Sequence, residues 1–335
     1  MRKGQNPSKD KLPAYHFERL GIAIISYIPI LAGYFEHSLE VLKYEIASIH
    51  HSTRVGFDLY VFDNGSGAET QAELFRLHSE GWIDFMFCSQ HNLGKIGALN
   101  WILGAIPNEL ICYADSDVLF RPGWFENSLA ILESFPKSGL ISAQPCLDDV
   151  LDGTGQAEHA FDKGSAYRVE VQPVAPHYVD EYATGFGYSA DQCAELKKNL
   201  YKYVTHLRTG VQAIVGATHV QFLISRQVAR QVVPLPATMG LSREEDRNFN
   251  RAVDRLGYYH LSTPVPYYYH IGNLPDVNVL AEIAGMNLEK TFQALPKHDK
   301  AGATWFMHLL RKLSRLPLLR SLVYRTYKLL FEIYS

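Results

Sequence analysis

The chain is poor in cysteine and has no excess of charge of either sign. Its 335 residues include four cysteines, and Cys88, Cys112, Cys146 and Cys193 form no C-x-x-C pair. This spacing argues against a zinc knuckle or a dense disulfide framework and favours a reducing compartment. Lysine and arginine total 32 against 35 acidic residues, a formal net charge of -3, so the general basic field that nucleic-acid binding needs is missing. We therefore expect no nucleic-acid partner.

A long apolar run is also missing. The least polar stretch, residues 20–35, has 16 uncharged residues but contains Gly21, Pro29 and Gly33. It is shorter than the ~20 residues that cross a bilayer, and no small-residue cleavage site follows it. With 47% hydrophobic and 20% charged residues, the composition is that of a folded globular chain. We predict a cytoplasmic protein.

Short apolar runs alternate with stretches of helical periodicity from Gly21 onward. The runs at 21–25, 59–62, 85–88 and 110–113 predict strands, and this alternation is typical of βαβ units. We predict the α/β class, with a Rossmann-like, mainly parallel central sheet flanked by helices. Residues 1–17 are polar and predict a flexible lead, residues 18–275 a single domain, and residues 276–335 a helical, basic C-terminal region.

Later parts of the sequence are less regular. The pattern loosens between about 142 and 210, where we expect irregular excursions that shape a substrate pocket. Regular structure returns with a predicted strand at 217–225 and a helix that begins near Ser242.

Acidic residues recur where the predicted strands end. Asp63 follows the second strand, and Asp115-Ser116-Asp117 follows the fourth. In open α/β sheets, ligands bind in the crevice beyond the carboxyl ends of the strands. Two carboxylates on alternate residues there can share Mg²⁺ or Mn²⁺ with phosphate oxygens. The spacing therefore predicts a divalent-metal site at Asp115 and Asp117.

A second acidic group opens the helix near residue 243. Ser242 and Glu245 fit a capping box, which explains Glu245 without catalysis. One helical face carries Asp246, Phe249, Val253 and Leu256. A carboxylate on that apolar face is a candidate general base, and the alternative is an acid that complements the positive end of the helix.

An imidazole follows an aromatic run near residue 270. His270 comes after Tyr267, Tyr268 and Tyr269, just before a glycine turn. Such a histidine is either a hydrogen-bonded structural residue or a ligand that completes the metal shell of Asp117, since imidazole accepts Mn²⁺ beside carboxylates.

Five motifs in order resemble one family. They are Asp63-Asn64-Gly65-Ser66, the segment from Asn92 to Asn100, Asp115-Ser116-Asp117, Pro122-Gly123-Trp124, and Glu245-Asp246 before Arg251 and Gly257. Their order and spacing over about residues 19–273 resemble glycosyltransferase family 2, whose members have the GT-A fold. The resemblance implies a GT-A catalytic domain over 18–275 and a role in polysaccharide biosynthesis.

The resemblance implies a nucleoside-diphosphate sugar as donor. By similarity, Asp63 contacts the nucleobase and Asp115 lies near the ribose or the metal. Asn64, Asn92 and Lys95 join them in the donor site, with Lys95 facing the diphosphate or, alternatively, solvated at the start of its helix. The first strand ends in Ser26-Tyr27-Ile28-Pro29, without the asparagine that many members carry there.

The resemblance also implies an inverting, metal-assisted transfer. Asp117 matches the direct metal ligand, Asp246 the catalytic base, and His270 the late histidine that some members lend to the metal. The metal is Mn²⁺ or Mg²⁺. An acceptor hydroxyl needs a base within about 3 Å, and a positioned carboxylate contributes roughly 10²- to 10⁴-fold.

The last 32 residues suggest where the acceptor is found. Residues 304–335 combine leucine and aromatic residues with a strong basic excess, a composition that suits an anionic membrane surface. This predicts peripheral contact at the inner face of the cell membrane and a saccharide or lipid-linked acceptor. The alternative is that the apolar side docks on protein.

Two other functions share the same predicted sheet. A sugar-phosphate nucleotidyltransferase needs a glycine-rich phosphate loop after the first strand, which Tyr27-Ile28-Pro29-Ile30-Leu31 does not provide. A non-catalytic module that binds a nucleotide or carbohydrate is the other alternative, and the joint presence of Asp63, Asp117 and Asp246 argues against it.

Overall fold

The structure is a computed structural model that describes residues 15–147, 161, 166–236 and 243–287, with side chains not described for 243–246. The chain divides into two compact units, residues 18–295 and residues 1–17 with 296–335. Of the second unit only residues 15–17 are described, where the rings of Tyr15 and Phe17 meet edge to face at 5.1 Å. The remaining part of the predicted lead and the predicted amphipathic segment 304–335 lie outside the described residues.

The described part of the first unit contains twelve strands. They are β1 Leu20–Ser26, β2 Phe57–Asn64, β3 Phe85–Ser89, β4 Leu110–Asp115, β5 Val118–Phe120, β6 Ser138–Ser142, β7 Tyr167–Gln172, β8 Tyr201–His206, β9 Gln212–Val215, β10 Gln221–Ser225, β11 Tyr259–Ser262 and β12 Tyr268–His270.

The same described ranges contain nine α-helices. They are α1 Ser38–Ser52, α2 Ala68–Ser79, α3 Gly94–Ala105, α4 Trp124–Ser134, α5 Pro176–Gly185, α6 Ala190–Lys198, α7 Arg226–Val232, α8 Arg243–Arg255 and α9 Val277–Met286. A 3-10 turn covers Gly33–Phe35.

Ten strands form one sheet in the order β3-β2-β1-β4-β10-β6-β11-β9-β8-β7. The first four in this order run parallel, as does the β6-β11 pair, and the other pairings are antiparallel. Strands β5 and β12 form a separate antiparallel pair. The α/β class of the sequence prediction is confirmed, with a mixed sheet whose parallel half carries the predicted acidic strand ends.

Helices cover both faces of the parallel half. Leu20, Ile22 and Ile24 of β1 pack with α1, α2 and α4, whereas Ala23 and Ile25 pack with α3, α7 and α8. Because both faces are buried, the strands read as continuous apolar runs rather than as alternating ones. This explains why residues 20–26 looked like an unbroken hydrophobic stretch in the sequence.

The region that the sequence left irregular contains regular elements. Within 142–210, the described residues form β7, α5, α6 and β8 around a small core of their own. Tyrosines supply much of that core, among them Tyr182, Tyr201 and Tyr203. The expectation of irregular excursions was wrong here, because short amphipathic elements built on tyrosine do not show a clear aliphatic period.

Two boundaries also differ from the sequence prediction. The strand expected at 217–225 begins at Gln221. Leu256, expected on the buried face of α8, lies beyond the helix end and is 42% exposed, while Phe249 and Val253 are buried as expected. Within the described ranges, no helix has the length and apolar character needed to span a bilayer.

Candidate active site

The parallel strands bring two predicted site residues to one edge of the sheet. The register of β1 pairs Ser26 with Asp63 on β2 and Ile25 with Asp115 on β4. Both acids therefore end strands that flank β1, at the carboxyl edge where ligands bind in such sheets.

Asp63 organises the turn that follows β2. Its buried carboxylate accepts hydrogen bonds from the backbone N–H of Ser66 at 2.9 Å and from the Gln71 side chain at 2.8 Å. Gly65 has a φ of 89°, which favours glycine. The position of Asp63 is thus fixed, and its predicted contact with a nucleobase stays a prediction.

Asn64 and Asn92 connect that turn to the start of α3. The Asn64 side chain accepts from the N–H of Leu93 at 2.8 Å and donates to Oδ1 of Asn92 at 3.0 Å. The same Asn92 oxygen accepts from the N–H of Gly94 at 2.8 Å. The two predicted donor-site asparagines therefore hold the N-terminus of α3, and with it Lys95, beside the end of β2.

Lys95 is paired rather than solvated. Its Nζ lies 2.9 Å from Oδ1 of Asp115 and donates to the backbone carbonyl of His219 at 3.1 Å. The Tyr113 hydroxyl also donates to Asp115. Burial raises the pKa of the Asp115 carboxyl, and the Lys95 charge opposes that rise. The structure therefore does not support the alternative of a solvated lysine.

Asp117 immediately precedes β5, and His270 is the last residue of β12, the strand paired with β5. Nε2 of His270 is 3.2 Å from Oδ2 of Asp117, and the backbone carbonyl of Asp117 accepts from the N–H of Ile271 at 2.8 Å. Burial is the largest single influence and opposes the charge on both groups. The charge attraction and hydrogen bond between them, with smaller contributions from their neighbours, together exceed it, so the pKa of Asp117 is lowered and that of His270 is raised. The sequence-predicted pair is thus brought into direct contact.

The other ring nitrogen of His270 faces the end of α5. Its Nδ1 is 2.9 Å from the carbonyl oxygen of Gly185. A carbonyl only accepts, so Nδ1 carries a proton and Nε2 is the nitrogen directed at Asp117. The ring of Phe186 packs on the imidazole with a centroid distance of 4.6 Å.

A carboxyl that the sequence analysis missed lies behind the acidic turn. Glu45 of α1 is fully buried, and its two oxygens make no hydrogen bond of normal geometry to a described residue. Burial, followed by the charges of Asp117 and Asp115, holds the pKa of Glu45 well above its usual range. Its position between Leu42 and Ile46 on the apolar face of α1 was the sequence signal that could have found it.

The chemistry of these side chains fits a divalent cation. Oδ1 of Asp117 is buried without a hydrogen-bond partner among the described residues, and His270 presents Nε2 next to it. No three potential metal ligands converge within the described part of the chain. Divalent ions in phosphate sites commonly take one or two protein carboxylates and fill the remaining positions with substrate phosphates and water. A site with only these protein ligands is therefore compatible with a divalent ion that also binds substrate phosphates.

Asp246 is located by its backbone alone. It belongs to α8, one helical turn before the buried Phe249, and its side chain lies outside the described residues. Its proposed role as a base stays a prediction.

The fold is that of the GT-A class, an α/β sheet with acidic residues at the carboxyl edge of its parallel strands. Residues 33–231 match the family described as Glycosyl transferase family 2. Because this match spans more than half of the chain, the chain belongs to that family, and the resemblance noted in the sequence is confirmed. No curated protein sequence matches the chain.

Solved structures are similar at low identity. TarS 1-349 from S. aureus has a TM-score of 0.44 at 12% identity, covering 83% of this chain and 66% of that one. A further TarS structure, in complex with UDP-GlcNAc, has a TM-score of 0.31 at 14% identity, covering 38% of this chain and 34% of that one. The mannosyltransferase PcManGT from Pyrobaculum calidifontis, in complex with GDP-Man and Mn2+, has a TM-score of 0.45 at 12% identity, covering 97% and 89%. In both comparisons with TarS, this chain spans less than two thirds of the TarS chain. TM-scores of 0.31 to 0.45 at 12–14% identity are too low to support an assignment, so it rests on the family match.

Proposed function

We propose that the protein transfers a sugar from a nucleoside-diphosphate sugar to an acceptor hydroxyl, with inversion at the sugar carbon. The observation that carries this proposal is the contact of His270 with Asp117, two residues beyond Asp115 at the carboxyl edge of the sheet. Membership of glycosyl transferase family 2 supports the reaction class. The acceptor we propose is a saccharide or a lipid-linked saccharide.

Different residues of this chain would bind different parts of the donor. Asp63, Asn64 and Asn92 fix the two loops beside which the nucleoside would lie. Lys95, already drawn to Asp115, provides a positive charge for the diphosphate. Its ammonium is held by the His219 carbonyl as well, so it is oriented before the donor arrives.

Mn²⁺ or Mg²⁺ would be held by Asp117 and His270, with Asp115 close by. When bound, such an ion supplies Lewis-acid stabilisation of the diphosphate leaving group, worth several kcal/mol. The hydrogen bond from the N–H of Ile271 to the backbone carbonyl of Asp117 holds the two segments that carry Asp117 and His270 next to each other.

Asp246 is the proposed general base. It would accept the proton of the acceptor hydroxyl as that oxygen attacks the sugar carbon from the face opposite the diphosphate. The new glycosidic bond forms as the bond to the diphosphate breaks, in a single displacement without a covalent sugar-enzyme intermediate. Its position near the start of α8, one turn before the buried Phe249, is the structural support for this role.

A thermal-shift matrix tests the proposal. Uridine, guanosine and thymidine diphosphates are each added with and without Mn²⁺ to the full chain and to Asp117→Asn. Ligands that bind only the native state stabilise it. We therefore expect one of the three nucleoside diphosphates to raise the unfolding temperature, and only when Mn²⁺ is present. This effect should disappear in Asp117→Asn. Asp191→Asn, an exposed acid in the first turn of α6, is the matched control and should behave like the wild type. Equal stabilisation with and without Mn²⁺ in all three proteins would contradict the proposal.

A further inference from the structure

His270 is held from the side opposite Asp117 by the end of a helix that the sequence analysis did not recognise. Helix α5 ends at Gly185, whose carbonyl accepts the Nδ1 proton of His270 at 2.9 Å. The next residue, Phe186, places its ring 4.6 Å from the imidazole. The helix end thus contacts both an edge and a face of the His270 ring.

We propose that Gly185 and Phe186 are positioning residues that hold His270 in the tautomer and orientation needed to bind a divalent cation. This inference rests on the proposed function, because it takes His270 as a metal ligand. It goes further by assigning a role to a helix end that lies about 85 residues before His270 in the chain.

The hydrogen bond decides which ring nitrogen is available. With Nδ1 donating to the Gly185 carbonyl, the lone pair of a neutral ring is on Nε2, and Nε2 is the atom that lies 3.2 Å from Asp117. Metal-binding histidines typically donate their second ring N–H to such an acceptor, which fixes the ring and increases its basicity. Without the Gly185 carbonyl, the Asp117 carboxylate would favour a proton on Nε2, which would block the nitrogen that has to bind the metal.

Glycine is needed at position 185 because two backbones meet there. A Cβ added to Gly185 would lie 2.5 Å from the carbonyl oxygen of His270 and 3.3 Å from its Cβ. A backbone oxygen cannot move aside as a flexible side chain can, so any larger residue must push α5 away from β12. The requirement for glycine at position 185 therefore arises from its contact with the His270 backbone.

The ring of Phe186 packs against a second, buried aromatic ring. Its ring stacks on Tyr182 at 4.3 Å with an angle of 24° between the ring planes, and Tyr182 belongs to the buried core of this region. Helix α5 is also joined to the strand that follows the acidic turn, because Glu181 pairs with Arg121 at 2.7 Å. These contacts hold the helix end and the Asp117 turn in one framework.

The test uses Mn²⁺ alone as probe and needs no enzyme activity. Binding is measured on the full chain from the EPR signal of free Mn²⁺ for the wild type and for Gly185→Ala, Phe186→Leu and Gly104→Ala. Gly104 lies in α3, and a Cβ there meets no atom within 4 Å, so it controls for a helical glycine change. The unfolding temperature of each variant is recorded without metal.

We expect Gly185→Ala to weaken Mn²⁺ binding at least about 10-fold and Phe186→Leu severalfold, as changes in outer-shell partners do. Gly104→Ala should bind as the wild type does. If Gly185→Ala does not fold, Phe186→Leu decides the matter, because leucine keeps the apolar packing and removes only the aromatic face.

A second measurement separates positioning from folding. The histidine-ring nitrogen NMR spectrum is taken on metal-free Asp117→Ala at alkaline pH, where the ring is neutral and no carboxylate holds a proton on Nε2. It should show a single Nδ1-protonated signal that His270→Ala removes, and adding Gly185→Ala to this background should convert that signal to a mixture of tautomers. An unchanged tautomer, together with unchanged Mn²⁺ affinity in Gly185→Ala and Phe186→Leu, would overturn the inference.

The variant His270→Ala distinguishes this failure from failure of the proposed function. If His270→Ala binds Mn²⁺ as well as the wild type does, His270 is not a ligand and the metal site in the proposed function is wrong. If His270→Ala loses Mn²⁺ while both helix-end variants keep it, the metal site stands and only the role of α5 is refuted.

Discussion

Nζ of Lys95 lies 2.9 Å from Oδ1 of Asp115, at the edge where the donor diphosphate would bind. The pair joins the first turn of α3 to the end of β4, and the Lys95 ammonium is held further by the carbonyl of His219 at 3.1 Å. The Lys95 charge therefore moderates the negative field of the acidic turn while remaining close to where a phosphate oxygen would lie.

Replacing Lys95 should weaken nucleotide binding without weakening metal binding. In Lys95→Met the field at Asp115 becomes more negative, so Mn²⁺ should bind as tightly as in the wild type or tighter. A nucleoside diphosphate should bind about 10-fold more weakly or worse, because a hydrogen bond to a charged group contributes ~1.5–3 kcal/mol. Calorimetric titration of each ligand measures both changes.

Lys43→Met is the matched control for this experiment. Lys43 is a half-exposed lysine of α1 that pairs with Glu73 at 3.5 Å. Its replacement should leave both affinities unchanged. A loss of Mn²⁺ binding in Lys95→Met would show that the lysine supports the acidic turn rather than the diphosphate.

Asp246→Asn should separate binding from transfer. The amide has the size of the carboxylate but cannot accept the proton of the acceptor hydroxyl, so we expect kcat to fall by about 10²- to 10⁴-fold. Donor affinity should stay within about twofold of the wild type, because the base contacts the acceptor. Release of nucleoside diphosphate in the presence of acceptor gives kcat, and nucleotide titration gives the affinity.

Asp254→Asn changes a second aspartate of α8, two turns further along the helix, and should leave kcat unchanged. Unchanged turnover in Asp246→Asn would discard the assignment of the base. An absence of nucleotide release by the wild type with any acceptor would favour a non-catalytic nucleotide- or carbohydrate-binding protein.

The part of the site that the sequence predicted lies at strand ends. Asp63 and Asp115 directly follow apolar runs, and parallel strands align their carboxyl ends, so a position at the same edge of the sheet follows from the pattern. That both strands flank β1 is shown by the structure. The proximity of His270 to Asp117 was one of two alternatives that the sequence left open, because imidazole can bind Mn²⁺ beside carboxylates but can also be a structural residue.

The part that the sequence could not predict depends on long-range packing. Gly185 lies in a segment without aliphatic periodicity, and the need for glycine arises from the His270 backbone, which no local pattern reveals. Glu45 occupies one position on an otherwise apolar helix face, where a single acid can also indicate a helix edge. Both depend on how α1 and α5 pack against β5 and β12.

Arg121 should be a major determinant of stability in this region. Its guanidinium pairs with Glu181 of α5 at 2.7 Å and with Glu282 of α9 at 2.6 Å, with side chains 19%, 24% and 25% exposed. Arg121→Gln leaves two mostly buried carboxylates without their partner, so we expect a loss of about 2 kcal/mol or more in the free energy of unfolding. Urea denaturation followed by circular dichroism measures it.

Arg76 of α2 offers a control with the same chemistry in a more exposed setting. It also pairs with two glutamates, Glu73 and Glu80, but its side chain is 44% exposed. Arg76→Gln should cost less than about 1 kcal/mol, as exposed ion pairs do. Equal losses in the two variants would mean that burial does not determine the contribution of Arg121.

His260 should make the folded state sensitive to acid. It lies on β11 with 1% exposure, and burial, reinforced by the neighbouring His219, lowers its pKa from the usual 6.5 to about 3. Below pH 6.5 the unfolded chain therefore takes up a proton that the folded chain accepts only near pH 3. The free energy of unfolding should then fall by roughly 1.4 kcal/mol per pH unit, or about 2 kcal/mol between about pH 7 and about pH 5.

His260→Phe removes this group, so its urea midpoint should change less than that of the wild type between about pH 7 and about pH 5. His51→Phe, at an exposed position in the last turn of α1, should keep the full wild-type dependence. The reason is that burial of His260 makes the folded and unfolded states bind protons differently at this residue. If His260→Phe and the wild type lose stability in parallel as the pH falls, other groups cause the acid sensitivity and His260 is hydrated in the native protein.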